Sequence, residues 1–267
     1  MIKIRCGIAA LAFLFGAADA TAQQTVEIRP HSAVYSLSLL EASVGEVSSI
    51  DGSLEATLTR TCDEWISALD MAMYARAGGA QMFELTGVST YREALDGTRF
   101  EFEAENRLNG EDVGSSAGTA VMTPGEGGIV TYTVPEGVSF DLPATTEFPY
   151  ASVRDMVQAF WVDGERIRTY FYFDGGEDGV LRATDLVAGA PEPVPDGIED
   201  PDGLLTGEPL RIVTTFFSPE GGDNTPVGTV IGDMLPTGVL TRMTIEVGFM
   251  TIVAHLRAVD ANQAPVC

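Results

Sequence analysis

Apolar and polar residues alternate with a period of two along most of the chain, the pattern of strands that bury one face. In Ser53–Arg60, Leu54, Ala56 and Leu58 share one face and polar groups take the other. Tyr35, Leu37 and Leu39 repeat the pattern, as do Phe100, Phe102 and Ala104 between Arg99, Glu101, Glu103 and Glu105. Ile167, Thr169, Phe171 and Phe173 alternate with Arg166, Arg168, Tyr170 and Tyr172. Val239, Thr241, Met243, Ile245 and Val247 precede a last run from Phe249 to Val259. Glycine-containing breaks separate these runs at Asp51-Gly52, Gly78-Gly79, Asp96-Gly97, Asn109-Gly110, Gly127-Gly128, Asp178-Gly179 and Gly221-Gly222. Strand, turn and strand at this spacing predict a large antiparallel meander.

One segment has a different period. Between Ser152 and Gly164, Val153, Met156, Val157, Phe160 and Trp161 fall at helical spacing and make one apolar stripe. Ser152 with Asp155 resembles a capping box, and Gly164 suits a helix stop. The stripe has to be buried, so the helix is expected against the concave side of the sheet. The predicted class is mainly β: a large antiparallel sheet with one amphipathic helix packed against it. Gly189 to Glu208, with four prolines and six acids, reads as a long acidic surface loop between strands of one sheet.

The first 22 residues are read as a cleaved signal peptide. Lys3 and Arg5 precede the apolar run Gly7–Ala18, and Ala20-Thr21-Ala22 is a small-x-small cleavage site before Gln23. The remaining 23–267 are expected to form a single β-rich domain exported to an oxidising compartment, with no later run long enough to cross a bilayer as a helix. Export leaves Cys62 and Cys267 as the two cysteines of the domain. In an oxidising compartment they can pair with each other, pair between chains, or stay free; the first is the simplest fate. Trp65, three residues past Cys62, would point to the opposite face if its strand continued, and so would not cover a bridge.

Charge and motifs remove more functions than they add. Acidic residues number 39 against 15 Lys and Arg, a net charge of −24, which argues against nucleic acid as a partner. Gly114-Ser115-Ser116-Ala117-Gly118 fits the G-x-S-x-G pattern of a nucleophile elbow, but no apolar strand leads into it and no helix follows, so it reads as glycine-rich strand. His31 and His255 are the candidate imidazole bases, each on a strand and better suited to packing. Asp196, Glu199, Asp200 and Asp202 carry hard oxygens but lack EF-hand spacing, and the two Cys and two His lack zinc-ligand spacing. No catalytic residue, metal or cofactor is therefore expected.

Several segments taken in order resemble the cell envelope integrity protein EipB family of exported alphaproteobacterial proteins. They are Cys62-Asp63-Glu64-Trp65, Leu142-Pro143, Phe148-Pro149 before the helix, Phe173-Asp174-Gly175, Phe216-Phe217-Ser218, Gly238-Val239 and Pro265-Val266-Cys267. The resemblance implies a periplasmic, mainly β fold, a large curled antiparallel sheet forming a spiral or partial barrel wrapped around one amphipathic helix, with a Cys62–Cys267 disulfide. It also implies a non-enzymatic role in keeping the envelope intact under stress through a protein or envelope partner. Its likeness to periplasmic lipoprotein carriers implies, as the alternative, a lipid or lipoprotein ligand on the concave face. The chain departs from the family pattern at Gly248-Phe249, where members carry aspartate after the glycine, and lacks the family's histidine near the start of the helix.

Overall fold

The computed structural model describes residues 27–42, 47–78, 81–176, 179–219, 225–247 and 250–267. The signal peptide read from residues 1–22 and the departure at Gly248-Phe249 lie outside these residues.

The alternating runs form strands that pair with their sequence neighbours. The first group is β1 (His31–Ala42), β2 (Val47–Arg60), β3 (Glu64–Ala77), β4 (Gln81–Ala94), β5 (Arg99–Leu108), β6 (Glu111–Thr123), β7 (Gly127–Val134) and β8 (Ser139–Leu142). The short β9 (Thr146–Glu147) leads into helix α1 (Pro149–Val157), which runs on as one π-helical turn over Gln158–Val162. The second group is β10 (Ile167–Tyr172), β11 (Leu181–Val187), β12 (Leu210–Phe217), β13 (Pro226–Met234), β14 (Leu240–Val247) and β15 (Met250–Ala261).

All fifteen strands belong to one sheet in the order β8-β7-β6-β5-β4-β3-β2-β1-β15-β14-β13-β12-β11-β10-β9. β1 pairs with β15 and joins the two meanders, His31 lying opposite Ala261. The sheet's edges, β8 and β9, are separated in sequence by Pro143, Ala144 and Thr145 alone. A flat sheet of fifteen strands would be about 65 Å wide, whereas that connection reaches at most about 14 Å. The sheet therefore has to curl until its edges nearly meet, and it forms a nearly closed, barrel-like spiral.

The concave face carries the core. Ala33, Tyr35 and Leu37 of β1 gather with Met73, Ile252, Ala254 and Leu256 in one cluster. Phe100, Phe102, Tyr132, Phe148 and Phe173 form an aromatic cluster under β5–β8. Met156, Val157 and Phe160 of the helical segment pack on Val187, Ile212 and Met234, so the helix does seat against the inner face.

Three details differ from the sequence reading. Helix α1 starts at Pro149 rather than Ser152, and Ser152 Oγ donates to Pro149 O from inside the first turn instead of capping it. Pro149 suits that first position because its missing N–H would have no intrahelical partner there. Asp51-Gly52 is not a turn: Gly52 lies inside β2, where a Cβ would stand 2.4 Å from Ala72 O. Glycine is needed for the close approach of the neighbouring strand. The segment 189–208 is not only a solvated acidic loop. Leu204 is buried in the first cluster with Val194, Ile198 and Leu205 around it, and the two Asp200 oxygens accept the Leu204 and Leu205 N–H groups at 2.7 and 2.8 Å. Asp200 is thus a turn anchor.

Candidate functional site

The face chosen by β10 decides the chemistry of the interior. Ile167 points outward and is exposed, while Arg168 and Tyr170 point in. Arg168 is held between two acids: it forms an ion pair and hydrogen bond with Glu147 of β9, and its Nε lies 3.6 Å from Asp185 Oδ2 of β11. Its Nη1 donates to Ser152 O at 2.9 Å, which ties β10 to the helix, and its guanidinium lies over the Tyr170 ring. Asp185 Oδ1 accepts from Thr214 Oγ1 at 2.7 Å, while Oδ2 has no hydrogen-bond partner among the described residues. Burial raises both carboxyls against the pull of Arg168, Glu147 to about 7.

A second buried acid holds the helix. Glu93 of β4 accepts the Tyr150 and Ala151 N–H groups at 2.9 and 3.0 Å, two donors of the first helical turn that have no partner within the helix. Phe148, at the N-cap, supplies no side-chain cap, so a strand 55 residues upstream performs that role. Trp65 of β3 stacks on Tyr150 at 4.3 Å beside it. Desolvation raises the Glu93 carboxyl to about 7 in spite of these donors.

Glu93 and Glu147 bind protons more tightly folded than unfolded. Their share of stability is therefore full below about pH 4.5 and is lost as pH rises through about 7. The melting temperature should be higher at pH 5.5 than at pH 8, and Glu93→Gln should flatten that difference. A melting temperature that rises between pH 5.5 and 8 would contradict these assignments.

Farther along the same inner face the filling stops. Leu69 lies on β3 midway between the buried Trp65 and Met73, in unbroken register with Ala56 and Ser89, yet it is 37% exposed. Beside it, between β4, β5, β6 and the loop after β10, lies a cavity of about 330 Å³, at the small end of ligand pockets. Tyr91, Ala104, Asn106, Ser115, Ser116 and Asp174 are among its lining residues. The loop is pinned over the cavity by Phe173, fully buried in the aromatic cluster, and by Tyr132 Oη donating to Gly176 O at 2.8 Å. Gly175, at φ +85°, presses on the Phe102 ring where a Cβ would come within 2.4 Å.

The sequence candidates fall elsewhere or serve structure. Cys62 and Cys267 are joined by a disulfide spanning 205 residues, with both cysteines exposed. Cys62 sits in the turn between β2 and β3, while Trp65 turns inward to Tyr150. His31 is buried with Nδ1 against Arg29 O at 2.7 Å, and burial lowers its pKa. His255 lies on β15 opposite Ser36 and Arg242, so the two imidazoles are not brought together. Ser115 and Ser116 lie within β6, and Ser115 Oγ donates to Asp112 Oδ2 at 2.8 Å, so Gly114–Gly118 is strand and not an elbow. Among the described residues no cluster of three or more His, Cys, Asp or Glu could hold a metal, and no helix is long and apolar enough to cross a membrane. The buried set Glu93, Glu147, Arg168 and Asp185 was missed from sequence, because acids this numerous give no sign of which are buried.

A nearly closed fifteen-stranded spiral, seated on one helix, defines a barrel-like β protein. The EipB-like family model matches residues 22–263, and the chain belongs to that family. A crystal structure of a β-barrel-like protein, a domain of unknown function from Brucella abortus, superposes with a TM-score of 0.80 at 20% identity, covering 89% of this chain and 100% of that one. That likeness establishes the fold. No curated protein matches the chain.

Proposed function

We propose that this chain is a periplasmic, non-enzymatic protein that keeps the cell envelope intact under stress by binding a protein or envelope partner. Membership of the EipB-like family carries this reading. The export signal read from residues 1–22 supports the location. The buried, backbone-bonded His31, the separated His255 and the strand-bound Ser115 and Ser116 favour binding over catalysis.

Deletion of the gene should sensitise the host to detergents, bile-type amphiphiles and cell-wall antibiotics, and the wild-type chain should restore resistance. Unchanged sensitivity across that panel would overturn the reading. A second reading, a carrier of lipid or lipoprotein, is favoured by Leu69, an apolar side chain left open on an inward face. Its direct test is solvent extraction of the chain purified from the host, where bound lipid should be found by mass spectrometry.

A further inference from the structure

The open part of the concave face has an apolar half and a polar half, and they meet at one glycine. Gly87 of β4 is flanked by Met71 on β3 and Asn106 on β5. A Cβ there would lie 2.7 Å from Asn106 Oδ1 and 3.6 Å from the Met71 methyl carbon, so the thioether and the amide both lean over the same bare backbone. On the Met71 side the inward residues are Leu54, Ala56 and Leu69. On the Asn106 side is the cavity with Tyr91 and Ser116. Small residues make the space: Ala104 and Gly114 line it, and a Cβ at Gly114 would meet no atom within 4 Å.

The chemistry of an occupant follows from these walls. The cavity walls offer hydroxyls and an amide, and among the described lining residues Asp174 is the one that carries charge and none is arginine or lysine. With a net charge of −24 on the chain, an anionic head would be repelled at long range and would find no cation among the described lining residues. An apolar tail, by contrast, would cover Leu69, which the fold leaves wet.

We propose that the concave face binds one single-tailed amphiphile, its tail along Leu54, Ala56, Leu69 and Met71 and its uncharged, hydroxyl-rich head in the cavity beside Tyr91, Asn106 and Ser116. This deepens the carrier reading and rests on it only for the occupant's role in the cell.

The test is calorimetric titration of the purified chain with dodecyl maltoside below its micellar concentration, with maltose and dodecyl sulfate as controls. One dodecyl maltoside should bind per chain. Maltose should not bind, and dodecyl sulfate should bind at least about tenfold more weakly. Gly114→Leu, which fills the cavity from open space, and Leu69→Asn, which makes the tail wall polar at an already exposed position, should each weaken binding about tenfold or more. Both should leave the melting temperature of the free chain within a few degrees of wild type. Absence of saturable binding, binding that neither variant weakens, or dodecyl sulfate binding as tightly as the maltoside would overturn the proposal. Binding as expected, combined with no lipid extracted from the host-purified chain, would keep the site and discard the carrier reading.

Discussion

Cys62→Ser and Cys267→Ser should each lower the melting temperature by roughly 10 °C while leaving most of the β-structure in place. The bridge closes a loop of 205 residues, nearly the whole domain, so its loss returns the most conformational freedom to the unfolded chain. On the chain-entropy account such a loop is worth about 5 kcal/mol, an upper figure because residual unfolded structure reduces it. The folded chain has little to rearrange when the bridge is absent. β15 already runs to Ala261, and Asn262 ties on through its N–H to Pro30 O and its side-chain amide to Leu58 O, so the exposed tail from Gln263 onward is what frays. A reductant should lower the wild-type melting temperature to the level of the mutants and leave the mutants unchanged. Two free thiols titrated in the untreated native chain would refute the bridge.

Arg168→Ala should cost about 3–5 kcal/mol, the range for stranding buried charges by removing their partner. Glu147 and Asp185 lose their shared cation, Ser152 O loses its donor, and the Tyr170 ring loses the guanidinium over it. The loss should depend on pH. Burial already raises both carboxyls, Glu147 to about 7, and without Arg168 both rise further, so at pH 5.5, where Glu147 is protonated, the damage is smaller. At pH 8 two uncompensated charges remain buried near the seam between β9 and β10, and the melting temperature should fall most there. Arg168→Lys should recover only part of it, because one ammonium cannot reach Glu147, Asp185 and Ser152 O together as the guanidinium does. Equal losses at pH 5.5 and pH 8 would mean that packing, not charge, holds this position.

The strands were legible in the sequence because a half-buried strand writes its burial locally, every second residue. Tyr35, Leu37, Leu54, Ala56, Phe100 and Phe102 could be placed on one face without knowing what covers them, and the helix stripe from Val153 to Trp161 likewise. Where local signals misled, a distant residue had taken over the local task. Ser152 was the natural cap, but Pro149 could start the helix one turn earlier because Glu93, brought from β4, satisfies the free N–H groups of Tyr150 and Ala151. Asp51-Gly52 has turn composition, but the pairing of β2 with β3 needs a residue without a side chain at that point.

The sequence alone therefore determined the mainly β class, the antiparallel meander with its one amphipathic helix and the two cysteines available to the domain, since period, turn chemistry and composition are carried by neighbouring residues. Only the tertiary structure decided which of the 39 acids are buried, that Arg168 rather than Ile167 faces inward, and that Leu69 remains open between two filled stretches of core. Those outcomes depend on what lies opposite each side chain across the curled sheet. Contacts between residues far apart in the chain leave no periodic trace in it.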